Sequence, residues 1–322
     1  VAWFLYDLEM ERVQLTATVH ACLQPDLGLG YSNSGFVDAG GGLVVDTFWD
    51  LRRTAELKRL YEQVVPVAPA RLVNTHHNGD HCWGNQLFAE VGSEIIGHRL
   101  CAEYFTREAS PSLFVSLCNT PDDQLGSLAG FVHGLRRFDF EGIELTPPTT
   151  LIDDDTTLGL DGTTVELLYV GPAHTAGDVA VFLPDEGVLF TGDILFNQCT
   201  PIGWEGTFAN WVAALARLEA LSSAFVVPGH GPITDAAGLR GLREYLQYVY
   251  REARVQFDRG RTTLEAAQSI ELGPYAGWTE PERLAFQVDR AYREFGGGQW
   301  DEAVDTTRVL AEVAALREYL ND

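Results

Sequence analysis

Three of the chain's eight histidines and one aspartate fall in a single stretch, Thr75-His76-His77-Asn78-Gly79-Asp80-His81-Cys82-Trp83-Gly84-Asn85. Imidazole and carboxylate side chains bunched on a turn suit zinc or iron, because a loop lets neighbouring residues converge on one ion. The plain alternative is a polar turn carrying surface histidines. Three later segments weigh against it: Gly171-Pro172-Ala173-His174-Thr175-Ala176-Gly177-Asp178, Thr191-Gly192-Asp193 and Pro228-Gly229-His230-Gly231-Pro232. Each of the four follows an apolar run that reads as a strand. Strand ends at one edge of a layered α/β core are where open-sheet proteins gather ligand sites.

The elements that must position these residues follow from hydrophobic periodicity. Val13, Leu15, Ala17 and Val19 alternate with polar residues as in a strand, and 43–47 reads as another, ending at Asp46. Asp46 is either a loop anchor or a group that supports a ligand. Residues 50–65 have helical spacing, and the strand over 70–74 delivers the histidine stretch, with 85–89 a short helix and 93–97 a further strand. Residues 99–142 read as a helical excursion that either borders the mouth of the site or is a packing insertion. Strands return over 149–155, 157–160, 164–170, 179–183, 188–190 and 224–227, with an amphipathic helix over 208–221. Beyond these the pattern is helical, over 236–260, 262–270, from Pro281 onward and over 301–320.

Composition limits the function classes. Lys plus Arg is 22 against 46 for Asp plus Glu, a formal net charge of −24. That argues against nucleic acid, whose partners are basic, and against an anionic membrane surface. No run approaches a membrane span. The first residues are apolar but acid-interrupted and have no basic region, which reads against a signal peptide. Cys22, Cys82, Cys101, Cys118 and Cys199 show no CxxC spacing and are odd in number, so a disulfide scaffold is not expected and a reducing cytoplasm is the plainer home.

Taken in order, THxxxDH, GPxHTxGD, TGD and PGHG over roughly residues 12–235 resemble the metallo-β-lactamase superfamily. The resemblance implies a four-layer αββα sandwich with a metal centre at one sheet edge. It implies a metallo-β-lactamase-like domain over 1–235, followed by a C-terminal helical extension over 236–322 packed on the core. Carried over by position, one metal site takes His76, the residue two further on and His174. The other takes Asp80, His81 and His230, and Asp193 bridges them. The residue two after His76 is usually histidine and here is Asn78. That leaves three readings: a weak amide-oxygen ligand, a holder of water, or an empty first site. His77 is one place off, and alternation along an extended backbone points it away from His76. Zinc, as one or two ions, is the default, and the donors also suit iron or manganese.

The activity so implied is metal-dependent hydrolysis of a small organic ester, thioester, lactone or lactam. Asp80 would orient the attacking water and move its proton, and Asn78 would be a ligand or a donor to substrate. The alternatives are an iron-dependent oxidoreductase on the same fold and a non-catalytic metal-binding homologue. Thr75 and Thr175 are candidate supports for ligands, and Cys82 and Trp83 read as packing. Phe36, Trp49, Phe114, Phe131 and Trp204 lie in or near loops and suggest a partly apolar substrate. The C-terminal helices would cover the sandwich, make a homodimer or wall the pocket.

Overall fold

A computed structural model describes residues 10–25, 28–107 and 110–321. The start of the chain, on which the reading against a signal peptide rests, lies outside them, as does Leu27 of the first glycine-rich bend. Two sheets stack face to face. The first runs β1 (Glu11–Gln14), β2 (Val19–Leu23), β3 (Asn33–Val37), β4 (Leu43–Val45), β5 (Arg71–Val73), β6 (Glu94–His98) and β7 (Thr150–Ile152), each paired with the next. Pairing is antiparallel up to β4 and parallel from β4 to β7. The second holds β8 (Thr156–Leu160), β9 (Thr163–Tyr169), β10 (Val179–Leu183), β11 (Val188–Phe190) and β12 (Phe225–Val227), with only β11 and β12 parallel.

Strand alternation makes the layers. Val37, Val45, Val73 and Ile96 of the first sheet meet Val165, Leu167, Val181 and Phe190 of the second in a buried seam. The opposite face of the first sheet, with Phe36, Val44, Leu72 and Ile95, packs on Leu57, Leu60 and Tyr61 of α1 (Leu51–Glu62). Asp50 caps α1 by accepting from the backbone N–H of Arg53. The short helices α2 (Gly79–Cys82), α3 (Gln86–Ala89), α4 (Arg99–Tyr104), α5 (Pro111–Cys118), α6 (Asp122–Leu125) and α7 (Ala129–Leu135) follow between β5 and β7. The outer face of the second sheet is covered by α8 (Phe208–Glu219), α9 (Ala236–Asp258), α10 (Thr263–Ser269), α11 (Leu284–Phe295) and α12 (Thr306–Asn321). One continuous apolar cluster runs from Leu168 and Ala180 through Trp211 and Leu246 to Val288 and Leu316. The layers are therefore α, β, β, α, with the later helices sharing the core of the second sheet.

Some expectations need correction. The alternation over 13–19 is not one strand. The Thr16 hydroxyl accepts from the backbone N–H of Thr18 and Val19, and Leu15 N–H reaches Val19 O, so the chain turns there. The final helix begins at Thr306 rather than 301, where the Asp305 carboxylate accepts from Arg308 N–H. Phe36 has no access to a pocket: it is fully buried under α1, stacked on His20 and edge-on to Tyr61. Among the described residues no helix is long and apolar enough to cross a membrane. All five cysteines are free.

Candidate metal centre

Five strand ends build the site. β4 ends at Asp46, β5 leads to Thr75–His81, β9 to His174, β11 to Asp193 and β12 to His230. β9, β11 and β12 run the same way, as do β4 and β5, so these carboxyl ends collect at one edge. The histidine stretch is not an open loop: from Asn78 it enters the single turn of α2, which carries Asp80 and His81.

Asp193 sits in the middle, its two oxygens facing different groups. Oδ1 lies 3.1 Å from His81 Nε2 and 3.4 Å from His230 Nε2, and Oδ2 lies 3.3 Å from His174 Nε2 and 3.8 Å from His76 Nε2. Asp80 Oδ2 is 3.3 Å from His230 Nε2 and 3.8 Å from His81 Nε2. His76, His81 and Asp193 converge closely enough to share an ion, and so do Asp80, His81 and His230. The His81 ring therefore lies nearer the midline than its place in the motif suggests, 4.4 Å from the His76 ring. Gly229 makes the approach of the last loop feasible, since a Cβ there would stand 2.0 Å from Asp193 Oδ1.

Each imidazole is oriented from behind. His174 Nδ1 lies 2.7 Å from the Ile202 carbonyl and His230 Nδ1 3.1 Å from the Tyr31 carbonyl. His81 Nδ1 lies 3.0 Å from Asp46 Oδ2, and His76 Nδ1 lies 3.0 Å from Thr75 Oγ1, which donates onward to Asp46 Oδ2. A carbonyl or carboxylate accepts only a proton, so Nδ1 carries it and Nε2 is turned to the centre, the arrangement typical of metal-ligating histidine. Asp46, held at φ 61° and accepting also from Thr75 N–H, is thus the support for His81. Burial pushes its carboxyl up, yet all three partners donate, so it serves as the ionised acceptor. Thr175 supports a ligand less directly. Its N–H and hydroxyl donate to Asp178, which with Ala173 N–H folds the His174 loop. Glu205 accepts from Ala176 N–H in the same loop.

The two halves differ electrically. Burial drives His174 down to about 4 and His76 well below its ordinary value, so both are neutral with free Nε2 lone pairs. Burial also opposes charge on His81 and His230, but Asp193 and Asp80 win, raising His81 well above its ordinary value and His230 to about 9. Asp80 and Asp193 are held low, as the neighbouring imidazoles outweigh burial. Asn78 Oδ1 lies 2.8 Å from His174 Nε2. Two lone pairs at that distance require a positive centre between them, or an amide turned so that its N–H2 donates. His76 Nε2 is buried without a hydrogen-bond partner, and His81 Nε2 and Asp193 Oδ1 lie 3.1 Å apart, with His230 also near, without an aligned hydrogen bond. Buried polar atoms are rarely left so, and this donor set fits one or two divalent ions.

His77 points away from the centre, as the alternation implies, toward Tyr104 and a larger cavity. Trp49, Phe114, Phe131 and Trp204 line that cavity, as do residues of α5, α7, α11 and α12. The 99–142 excursion therefore borders the mouth, and the C-terminal helices wall it. Cys82 is buried with its thiol on the His77 and Asn78 carbonyls. Trp83 packs in an aromatic cluster with Trp49, Phe114 and Phe140. Sequence reasoning missed the Ile202 and Tyr31 carbonyls, which have no signature, and the clasp by Asp178, which stood in the quoted motif without a role.

A four-layer αββα sandwich with His and Asp gathered at one strand edge defines a class of metal-binding proteins. The sequence model of the Metallo-beta-lactamase superfamily matches residues 27–230, and the chain belongs to that superfamily. It is 28% identical over 192 residues to 2,4-dinitroanisole O-demethylase subunit alpha of Nocardioides sp. (strain JS1661), covering 59% of this chain and 49% of that protein. It is 28% identical over 222 residues to a hydroxyacylglutathione hydrolase of Synechococcus sp., covering 65% and 71%. Among solved structures, the sec-alkylsulfatase Pisa1 from Pseudomonas sp. superposes with a TM-score of 0.64 at 16% identity, over 89% of this chain and 50% of that one, a likeness of fold. The chain spans about half the length of the demethylase subunit and of the sulfatase.

Proposed function

We propose that the protein is a zinc-dependent hydrolase of a partly apolar organic ester, thioester, lactone or lactam. The observation that carries this reading is the convergence of four anchored imidazoles on Asp80 and Asp193 beside an apolar cavity. His76, His174 and Asp193 Oδ2, with Asn78 beside them, would hold one ion. Asp80, His81, His230 and Asp193 Oδ1 would hold the other. Bound zinc supplies Lewis acidity, which lowers the pKa of water and polarises a carbonyl. The likeness to a hydroxyacylglutathione hydrolase supports hydrolysis, while the likeness to an O-demethylase subunit does not separate it from the redox alternative.

The residues divide the work. The Asp80 side chain keeps 13% exposure against 5% for Asp193, which supports Asp80 as the carboxylate that would accept a proton from incoming water. The water oxygen bonds the acyl carbon, and the acyl bond to oxygen, sulfur or nitrogen breaks. The proton taken by Asp80 leaves with the departing group. Asn78, with Oδ1 turned to His174, has its N–H2 left to donate to a substrate oxygen.

The reading is tested by assaying zinc-loaded protein against acyl thioesters, aryl esters, lactones and cephalosporins. Turnover that disappears on chelation, returns with zinc and is lost in Asp80→Ala with an unchanged unfolding midpoint is the expected result. Turnover that survives Asp80→Ala, or none on any of these classes, would overturn it.

A further inference from the structure

Two connected spaces differ greatly in size. The pocket over Asp80, His174, Asp193 and His230 has a volume of about 50 Å³. The chamber beside it has about 1170 Å³. Both are lined by Leu29, Trp49, Asn78, Ile202, Trp204 and Arg283, which form a neck between them. A water molecule takes about 30 Å³ of liquid volume, so the inner pocket admits a reacting group and little more. The chamber exceeds the roughly 300–1,000 Å³ of ordinary ligand sites. Whatever reacts at the centre must hold its remaining atoms beyond the neck.

The chamber walls decide what those atoms are. Phe114, Leu117 and Phe131 come from α5 and α7, and Phe286, Leu310 and Val313 from α11 and α12. The two walls meet, because α12 packs against the turn at 126–128 as well as the turn at 281–283. Charged side chains are present: six of them pair within the wall, while Asp301 and Glu302 are exposed carboxylates with no ion pair among the described residues. Arg283 pairs with Glu280, Arg317 with Glu282, and Arg107 faces Glu205 at 3.9 Å. Matched pairs offer a passing anion or cation little that the wall does not already provide, and breaking one costs its desolvated partner.

We infer that the substrate carries its hydrolysable group at the end of an apolar body of drug size or larger that bears no anionic group, a long alkyl chain or a fused aryl system. Compact acyl groups such as acetyl are not its class. The inference rests on the hydrolase reading for the reacting group and on the chamber alone for the body. Contact with six apolar side chains favours such a body over acetate by the area it removes from water.

Binding is measured by tryptophan fluorescence, since Trp49 and Trp204 form the neck, using decanoate, 1-naphthoate and acetate with zinc-free and zinc-loaded protein. Decanoate or 1-naphthoate should bind at least tenfold more tightly than acetate in both forms. Saturation by decanoate alone assigns an alkyl body, and saturation by 1-naphthoate alone an aryl one. Leu310→Glu and Phe131→Glu, each checked for an unchanged unfolding midpoint, should remove the preference. They should also lower kcat/KM for 4-nitrophenyl decanoate relative to 4-nitrophenyl acetate by tenfold or more. Equal binding of acetate and decanoate, or a preference untouched in both variants, overturns the inference. Decanoate binding without turnover of either ester, or of the thioesters, lactones and cephalosporins, upholds the chamber's ligand class and sinks the hydrolase reading. Equal turnover of the two esters does the reverse.

Discussion

Replacing Asp46 by Asn should disable His81 as a ligand while leaving the fold in place. Asp46 receives three donors: Thr75 N–H at 2.7 Å on Oδ1, and Thr75 Oγ1 at 2.7 Å and His81 Nδ1 at 3.0 Å on Oδ2. A carboxamide offers one acceptor oxygen. If that oxygen keeps Thr75 N–H, the N–H2 group faces His81 Nδ1 and donates to it. The imidazole must then move its proton to Nε2, which lies 3.1 Å from Asp193 Oδ1, and the lone pair that would meet the ion is gone. Loss of such a support costs about 10–100-fold in metal affinity, or about 1.4–2.8 kcal/mol. The backbone should tolerate the change, because Asn accepts a φ of 61° as readily as Asp does. Asp46→Ala provides the contrast: it leaves the tautomer free but removes the polar side chain whose local hydrogen bonds offset the left-handed backbone, a conformation that costs an ordinary residue about 1–2 kcal/mol. Zinc affinity, by competition with a chromophoric chelator, should therefore fall more in Asp46→Asn. The unfolding midpoint of the metal-free protein should fall more in Asp46→Ala. Zinc affinity in Asp46→Asn within twofold of the parent would refute the argument.

Gly229→Ala should disturb the same centre from another side, since its Cβ would stand 2.0 Å from Asp193 Oδ1 and 2.7 Å from the backbone of Gly192. Overpacking of this kind costs about 1–3 kcal/mol, read as a lower urea midpoint in metal-free protein; an unchanged midpoint would count against the tight approach of the His230 loop. Burial pushes the Asp178 carboxyl up to about 7 against the bonds from Thr175 and Ala173. A folded value above the unfolded one means that its contribution is fullest below about pH 4 and is lost as pH rises through about 7. Measured against Asp178→Asn in chelator, the parent should therefore be relatively more stable at pH 5 than at pH 8, and an equal difference at both would contradict this. Asn78→His should tighten the His76 and His174 half, because imidazole is a better donor than an amide oxygen; weaker zinc binding in that variant would show that Asn78 is not positioned as a ligand.

Much of the centre was legible because its residues share one syntax, an apolar run followed within a few positions by His or Asp. His76, Asp80, His81, His174, Asp193 and His230 all stand at such ends. The aim of His77 away from them was legible too, from alternation alone. What orients the imidazoles was only half legible. Asp46 offers a side chain to suspect, but the Tyr31 and Ile202 carbonyls are groups every residue carries. Phe36 was misplaced because both faces of β3 are buried, so period-two alternation does not say which face meets a pocket. The chamber was legible only as separate hints, the aromatic residues near loops and the helical stretches on either side, and neither its size nor its closure could be read. It exists because α12 packs on the turn at 126–128 that leads into α7, far from it in sequence, and no local pattern encodes that meeting.

The central claim is that two metal positions share Asp193 and that the Asp80, His81 and His230 side is the stronger, because Asn78 replaces an imidazole on the other. Anomalous diffraction at the zinc edge, from crystals before and after dialysis against a weak chelator, tests it most directly. The account predicts peaks on both sides of Asp193 beforehand. After dialysis the peak beside His76 and His174 should fade first while the one beside His81 and His230 persists. Zinc retained only between His76 and His174 would contradict it.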